Sequence, residues 1–571
     1  MVESLRHDVV IVGSGIAGLR AAIEAARASK GKADIAVVTK VQAMRSHSVS
    51  AEGGTAAALY PELGDSKESH AFDTVKGSDY LADQDAVERF VDEMPGEIYQ
   101  LEHWGLPWSR RDDGRIAQRW FGGYSYPRAT FAEDKVGFFE MQTLYDTATK
   151  YDNITFYQEW FATSVLSEAG EFRGVTAIEL KTGEYAAVLG KAGIMATGGS
   201  GRLYGFATYA YSSTPDGMWI AYRAGIPLKD MEFIQFHPSG LIPSGILITE
   251  AVRGEGGVLV NRDGDRFMKK YAPEKLELAS RDVVSRAMMT EIEEGRGMKD
   301  ENSGFDYLHL DLSPIGAEKI KSRLSGIREI AIKFRGIDPV DKPLPVRPVC
   351  HYVMGGIDTD LNGATKMKGL WAAGEAACVS INGANRLGAN STAECLVWGK
   401  ITGAEAATYA AGRSSYGTPN EAVMLEEKRV FDTVFHGKGG TNPYDVRDRV
   451  QRLMDRNAFV YRDGAGLSAA LAEIRELKKT DYLHCDDTSR VYNTNLGHVL
   501  EVEGMLGVAE IVVAGALART ESRGAHFRRD FPKRDDKSWL KHTLARFTPE
   551  GPRLDYSPVT ITKYQPAERH Y

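Results

Sequence analysis

Runs of apolar residues divide the first forty positions of the chain into strand, turn and helix. The run Asp8–Val12 predicts a buried strand, which leads into the glycine turn Gly13-Ser14-Gly15-Ile16-Ala17-Gly18. The alanine-rich segment Leu19–Ser29 has helical spacing, and Asp34–Val38 predicts a second strand. Glycines in such a turn let the backbone approach a pyrophosphate, which the helix N-terminus then stabilises. This order therefore predicts a Rossmann-like dinucleotide site.

Two later segments repeat the pattern of an apolar strand followed by glycine. Ala192–Ala196 leads into Thr197-Gly198-Gly199-Ser200-Gly201, and Gly369–Glu375 forms a third piece. Because the three pieces lie far apart, we expect an α/β fold in which the Rossmann-like domain (1–234 and 351–419) is interrupted by an inserted α+β capping domain (235–350). Helical periodicity, as in Asp445–Ala458 and Leu467–Lys478, predicts a helical C-terminal domain (420–530). An extended tail (531–571), with Val559–Thr562 near its end, completes the prediction.

Composition narrows the function classes. The 571 residues are 43% hydrophobic and 26% charged, as in an ordinary globular protein, and the length predicts two to four domains. A net charge of −8 argues against nucleic acid as a partner, because nucleic-acid binding needs a basic face. A local basic site for a small anion remains compatible with this overall charge.

Cysteine spacing and hydropathy exclude further classes. Four scattered cysteines without a C-x-x-C pair predict no iron–sulfur cluster, c-type haem or other metal site in this chain. No apolar run approaches the roughly 18 residues of a membrane span, and Glu510–Ala518 is typical of a buried helix. The first strand begins close to the N-terminus, which leaves no room for a signal peptide. We therefore expect a cytosolic chain that reaches a membrane only through a partner.

Four polar runs in or beside the insertion carry candidate chemistry. They are Gln235–Gly240 with His237, Thr249–Gly257 with Glu250 and Arg253 at i,i+3, Ser280–Arg286 with Arg281, and the pair His351–Gly356 and Asn385–Ser391 with Arg386. An arginine in a loop rich in glycine and asparagine suits the recognition of a carboxylate. Taken singly, each run also fits a structural role as a turn histidine, a surface ion pair or a solvated helix residue.

The run Met44–Gly54 places His47 on a loop of small residues shortly after the first strand–helix–strand unit. Alone, it would be read as a surface histidine. Taken together with other segments, however, this run makes the chain closely resemble the flavoprotein subunits of succinate dehydrogenases and fumarate reductases over nearly its whole length. The other segments are the glycine turn, the four polar runs, Ser522–His526 and Asp530–Pro532.

The resemblance implies a role for each matching residue. His47 would hold FAD covalently, and the cofactor would be lined by Gly13, Ser14, Gly15, Ala17, Gly18, Thr39, Lys40, Ser46, Gly53, Gly54, Asp216, Glu375, Ser391 and Thr392. The two carboxylates of succinate or fumarate would bind His237, Thr249, His351 and Arg386. Arg281 would donate or accept the proton, with Glu250 and Arg253 as its relay to solvent.

The resemblance also implies partners and a location. Electrons would pass to an iron–sulfur subunit and then to quinone through membrane anchor subunits, on the cytoplasmic side of the membrane. We expect docking at the helical region and at the segment Arg523–Asp530.

Three positions depart from simple patterns. Thr39-Lys40 stands where NAD-binding folds carry an acidic residue, which disfavours a nicotinamide dehydrogenase and agrees with the resembled family. Ser239 and Thr392 replace the family's more usual threonine and leucine. A soluble L-aspartate oxidase-like enzyme with non-covalent FAD is the nearest alternative, and a non-catalytic FAD-binding scaffold is a second.

Overall fold

The computed structural model describes residues 2–569, and a seven-stranded sheet forms its centre. Four neighbouring strands run parallel: Ile154–Gln158, Ile35–Thr39, Glu3–Val12 and Tyr185–Met195. Leu370–Ala372 adds to the last of these in parallel, and Glu171–Glu179 and Trp160–Glu168 continue the sheet antiparallel. All three segments predicted to build the dinucleotide domain therefore contribute to one sheet.

Both faces of this sheet are covered. Val10 and Val12 pack into one apolar cluster, while Val9 and Ile11 pack into another on the opposite face. Burial on both sides explains why the first strand reads as a continuous apolar run. The first helix is Ile16–Ala28, and it packs against the long helix Asn390–Ala411, whose Gly399 and Gly403 lie against the first helix's backbone.

The capping domain has its own antiparallel sheet and apolar core. Its strands are Ile234–Leu241, Ile246–Leu247, Val258–Val260, Met298–Lys299, Asp306–Asp311 and Leu344–Val353. Its helices are Ala251–Gly254, Met268–Tyr271, Arg281–Glu291, Ala317–Arg323 and Ser325–Arg335. The predicted fold class, a FAD-binding type of α/β domain with an α+β insertion and a helical C-terminal region, is confirmed.

Two smaller sheets join distant parts of the chain. One contains Ala377–Cys378, Gly356–Asp358, Leu228–Lys229, Lys541–Arg546 and Arg553–Pro558, so the predicted tail contributes a hairpin. The other contains Thr55–Ala56, Gln118–Arg119 and Ala129–Thr130. The stretch Val559–Thr562 forms no strand; its backbone is held by the side chains of Asp83 and Gln84 instead.

The remaining helices surround the central sheet. They are Lys67–Gly77, Gln84–His103, Val136–Ala148, Asp216–Arg223, Asn420–Lys428, Pro443–Asn457, Gly464–Lys478, Thr494–Ala518 and Asp536–Trp539. Two of the predicted helices begin two to three residues early because Asn442 and Asp463 accept N-terminal N–H groups at 2.9 and 2.8 Å. Between residues 2 and 569, none of the helices combines the length and apolar character that a membrane crossing requires.

The predicted docking segment Arg523–Asp530 is largely internal. Arg523 and Arg528 are buried, with ion pairs to Glu521 at 2.8 Å and Asp530 at 2.7 Å. For these two arginines the docking prediction was wrong, because their partners lie within two residues along the chain and the turn folds inward. Arg529 remains on the surface.

Candidate active site

A cavity of about 600 Å³ opens where the parallel strands end and the capping domain covers the sheet. This edge of a parallel α/β sheet is where ligands bind. All the predicted cofactor and substrate residues except Gly18 line it, as do Arg281 and Glu250; Arg253 lies behind Glu250. The structure therefore brings together side chains that are hundreds of positions apart in sequence.

The glycine turn is shaped for an anion. Gly13 has a φ of +110°, and a side chain there would collide with the carbonyl of Ala196. The helix that begins at Ile16 has no acidic residue in its first turn, so its positive N-terminal end is available to a negatively charged group. Gly18 contacts the carbonyl of Gly13 and supports the turn from behind. These features fit the pyrophosphate of a dinucleotide.

Lys40 and Asp216, both predicted to contact the cofactor, bind each other at the cavity wall. Lys40 Nζ donates to Asp216 Oδ2 at 2.5 Å, to Thr214 Oγ1 at 2.7 Å and to Glu501 Oε1 at 2.9 Å. Glu501 comes from the helix Thr494–Ala518 and was not predicted as a site residue. No local pattern could have identified it, because the contact depends on how that helix packs.

His47 begins a short helical turn and is held by backbone and ring contacts. Its Nδ1 accepts the N–H of Ala210 at 3.3 Å, and its ring stacks on Tyr209 with centroids 4.8 Å apart. Burial, with a smaller contribution from Arg202, lowers the pKa of His47 to about 4. The imidazole is therefore neutral at physiological pH, with its proton on Nε2 while Nδ1 accepts from Ala210.

Arg281 is locked between two side chains of the capping domain. Its Nε donates to Glu250 Oε2 at 2.7 Å, and its Nη1 donates to Gln235 Oε1 at 2.9 Å. The N–H of Gly122 also donates to Glu250 at 2.7 Å. Burial alone would raise the pKa of Glu250, but Arg281 and Arg253 outweigh it and hold that pKa below its ordinary value. Gln235 was not singled out from the sequence, although it stands two residues before His237.

Three further side chains offer donors to the cavity. His237 accepts the N–H of Ser239 at its Nδ1 (3.2 Å), so its proton lies on Nε2, which has no partner among the described residues. Arg386 stacks on Tyr352 at 4.3 Å, and its buried Nε likewise has no partner in that part of the chain. His351 bonds Thr208 at 2.9 Å and lies 4.9 Å, ring to ring, from His237. Thr249 completes this wall.

The electrostatics of this cluster require an anionic ligand. Burial, reinforced by the neighbouring Arg281, lowers the pKa values of His237 and His351 well below the ordinary range, so both rings are neutral. Arg281 and Arg253 pair with the carboxylate of Glu250, and Arg386 lies close to Arg281, so positive charge is in excess at this wall of the cavity. A buried charge without compensation is costly, and a dianion would balance this one.

A polar path leads from Arg281 towards the surface. Arg253 lies 3.7 Å from Glu250 and donates to the backbone carbonyl of Glu277. The carboxylate of Glu277 in turn binds Arg266, whose side chain is 35% exposed. Glu277 and Arg266 extend the predicted relay and were not identified from the sequence, since they occur in a segment without a glycine or histidine motif.

Comparison with known proteins places this geometry in a family. Residues 8–392 match the FAD binding domain and residues 447–571 match the fumarate reductase flavoprotein C-terminal domain. The chain is 48% identical to the fumarate reductase flavoprotein subunit of Mycobacterium tuberculosis, with 99% of each chain covered. It is 43% identical to the succinate dehydrogenase flavoprotein subunit of Rickettsia conorii, covering 98% and 96%.

A solved structure described as quinol–fumarate reductase with menaquinol molecules superposes with a TM-score of 0.95 at 43% identity, covering 99% of this chain and 100% of the other. Identity, coverage and architecture agree along the whole length. The chain belongs to the family of fumarate reductase and succinate dehydrogenase flavoprotein subunits.

Proposed function

We propose that the chain is the catalytic flavoprotein subunit of an enzyme that interconverts succinate and fumarate. The observation that carries this proposal is the buried cluster of Arg281, Arg253 and Arg386 with unpartnered donors beside the dinucleotide cavity, which suits a dicarboxylate. FAD, held by the glycine turn and by the lining residues named above, would supply hydride transfer. The protein's own side chains would orient the substrate and transfer the proton.

Substrate orientation is the task of the donors without partners. His237 Nε2, Arg386 Nε and the hydroxyl of Thr249 would hold one or both carboxylates, with His351 on the same wall. Fixing both ends of a short diacid restricts the direction of its central C–H bonds. Positioning of this kind can lower a barrier by about 7–11 kcal/mol.

Proton transfer is the task of Arg281. A guanidinium ordinarily stays protonated, so it can act as an acid only where its loss of a proton is compensated. Glu250, 2.7 Å from Arg281, leads through Arg253 towards the surface, and this path would return a proton to Arg281 after each transfer. In the oxidation of succinate the same path would carry the proton outward.

Arg281→Lys tests this assignment because it keeps the charge and removes the paired N–H donors. We expect succinate oxidation with an artificial electron acceptor, and fumarate reduction with a reduced dye, to fall by about 10²- to 10⁴-fold while flavin content stays constant. Unchanged rates would refute the catalytic role of Arg281. Turnover of L-aspartate in place of succinate by the unmodified chain would favour the aspartate oxidase alternative.

We further propose that FAD is attached covalently to His47. A neutral, buried imidazole on the cavity wall supports this proposal. After acid denaturation, flavin absorbance should remain with the polypeptide and map to the His47 peptide. His47→Ser should release its flavin on denaturation while still binding it when folded. Flavin washing out of the fully loaded native chain would contradict the tether.

We infer that the chain works as a peripheral subunit on the cytoplasmic side of a membrane, with an iron–sulfur subunit as its electron acceptor and membrane anchor subunits beyond. The quinol-linked enzyme found among the solved relatives supports this inference. Gentle purification should yield the chain with an iron-containing partner that restores quinone reduction. Purification of the chain alone under these conditions would count against it.

A further inference from the structure

A buried carboxylic acid lies one side chain behind the cavity wall and has no part in the chemistry described so far. Glu140, in the helix Val136–Ala148, is completely buried. Its Oε1 is hydrogen-bonded to the hydroxyl of Thr55, and its Oε2 has no partner among the described residues. An unpartnered buried oxygen is costly, so this position calls for an explanation.

The hydroxyl of Thr55 connects Glu140 to the cavity. Thr55 Oγ1 lies 2.8 Å from Thr392 Oγ1, and Thr392 Oγ1 lies 3.5 Å from the carbonyl of Gly54. Thr392 and Gly54 line the cavity, whereas Thr55 and Glu140 lie behind them. Thr392 stands in the first turn of the helix Asn390–Ala411, next to Ser391, which also lines the cavity. It is also one of the two positions where the sequence departs from the resembled family.

The two hydroxyls transmit the protonation state of Glu140 because each has only one hydrogen to donate. When Glu140 is protonated it can donate to Thr55, which donates to Thr392, which then donates to the carbonyl of Gly54. When Glu140 is ionised it must accept from Thr55, which then accepts from Thr392. The direction of the whole chain reverses, and the carbonyl of Gly54 loses its donor.

We propose that Glu140, Thr55 and Thr392 form a proton-sensing hydrogen-bond chain that tunes the reduction potential of the bound flavin. Glu140 is thus a positioning residue that acts through Thr392 at the cavity wall. An ionised Glu140 turns the hydroxyl hydrogen of Thr392 away from Gly54 and leaves oxygen atoms without a donor at the cavity wall, which disfavours a group that gains electrons and lowers its potential. A protonated Glu140 restores this donor. Burial, partly offset by the bond from Thr55, raises the pKa of Glu140 to about 8, so both states are accessible near neutral pH.

Other titratable groups on the packed elements leave this switch intact. On the helix Asn390–Ala411, burial raises the pKa of Cys395 far enough to keep it a thiol. Burial raises the pKa values of Glu394, which Asn382 and Tyr352 bind, and of Glu375 at the cavity wall to about 7; both groups are present in every variant, so the comparison with Glu140→Gln cancels their effect. On the first helix Arg20 pairs with Glu24 and with Glu97 of the helix Gln84–His103. In the turns at 43–50, Arg45 is exposed and His47 is neutral. On its own helix, Tyr145 and Asp146 stand more than a turn away.

The experiment is a redox titration of the flavin in the loaded chain, without succinate or fumarate, at a series of pH values below and above about 8. It compares the native chain with Glu140→Gln, which cannot ionise, and with Thr392→Val, which interrupts the chain. Thr147→Val is the matched control, because this buried hydroxyl of the same helix has no partner among residues 2–569. Since no substrate is present, the result is independent of the proposed succinate and fumarate chemistry.

We expect equal potentials in the native chain, Glu140→Gln and Thr147→Val at low pH, and a lower potential in Thr392→Val, which lacks the donor to Gly54. Above about pH 8 the potentials of the native chain and of Thr147→Val should fall more steeply with pH than those of Glu140→Gln and Thr392→Val. The difference in slope should reach up to about 30 mV for each tenfold change in proton activity. Infrared difference spectra should show a protonated carboxyl signal that is absent from Glu140→Gln. Parallel pH profiles for native and Glu140→Gln would overturn the proposal. If Glu140→Gln fails to bind flavin, Thr392→Val provides the test alone. A pH profile of its potential that is parallel to that of the native chain would overturn the proposal.

Discussion

Replacement of His542 should remove a pH-dependent part of the stability of this protein. His542 lies in the hairpin strand Lys541–Arg546 and is almost fully buried. Its Nδ1 is 2.6 Å from Asp230 Oδ2, and its Nε2 is 3.2 Å from Asp83 Oδ1. One imidazole thus joins the C-terminal hairpin to two separate parts of the FAD-binding domain.

The magnitude follows from the pKa of His542 in the folded protein. Burial would lower it, but Asp230 and then Asp83 outweigh burial and raise the pKa from its ordinary 6.5 to about 9. At about 1.4 kcal/mol for each pKa unit, the charged imidazole contributes about 3 kcal/mol. Because the folded pKa is the higher one, this contribution is fully present below about pH 6.5 and is lost as the pH rises towards 9.

The assay is the difference in urea unfolding between the native chain and His542→Gln across this pH window. Subtraction cancels other titrating groups, such as Glu375 and Glu394, whose pKa values burial raises to about 7. Hydrogen exchange of the strand Lys541–Arg546 gives a local measurement that does not require two-state unfolding. The exposed His436, changed to Gln, is the control. A stability difference that stays constant from pH 6.5 to 9 would refute the linkage.

Three other changes test the site. Gln235→Leu removes the side-chain oxygen that accepts a hydrogen bond from Arg281. An unpaired buried donor costs roughly 1–3 kcal/mol, so kcat/KM should fall about 10- to 100-fold while flavin content stays unchanged. Lys40→Met leaves Asp216 and Glu501 together without their cation, and thermal unfolding should show a loss of about 1–3 kcal/mol; full stability would contradict the pairing of these half-buried groups. Fumarate at a hundred times its dissociation constant should stabilise the chain against unfolding by about 2.7 kcal/mol. A monocarboxylate at the same concentration should stabilise it much less, and equal stabilisation by both ligands would refute the charge argument.

The architecture was predictable wherever one short segment carries its own signal. The glycine turn identifies the first strand and helix because a φ of +110° and a close carbonyl leave room only for glycine at position 13. The observed ends of helices and strands differ from the predicted ends mainly where a capping side chain or strand pairing determines them. Asn442 caps one helix earlier than predicted, and the first strand extends back to Glu3 because it pairs with the strand Tyr185–Met195. Such pairings depend on distant residues, and the first strand's own pattern does not reveal them.

The residues of the candidate site likewise fall into those that a local motif predicts and those that only the folded structure reveals. Residues in distinctive motifs, such as His237 and Arg386, were identified and do line the cavity. Glu501, Gln235 and Glu277 were missed because each is an ordinary residue in its local sequence and gains its role from a partner elsewhere. The docking prediction at Arg523 failed for a related reason: basic residues in a tail suggest exposure, but carboxylates folded beside them allow burial.

The buried charge of the active site also explains why the substrate site spans two domains. Arg281, Glu250 and Arg253 belong to the capping domain, whereas Arg386 comes from the second part of the FAD-binding domain. Asp134 of the FAD-binding domain accepts the N–H groups of Gly326 and Ile327 at 2.7 and 3.2 Å and so caps the helix Ser325–Arg335 of the capping domain.

The contact between the two domains therefore brings the cationic Arg386 close to Arg281 of the capping domain. Without a ligand this costs free energy, because the cationic groups lose solvent and gain no counter-charge. A dicarboxylate supplies two negative charges and offsets that cost more fully than a monocarboxylate does. The arrangement of the two domains and the recognition of a dicarboxylate thus depend on the same charged residues.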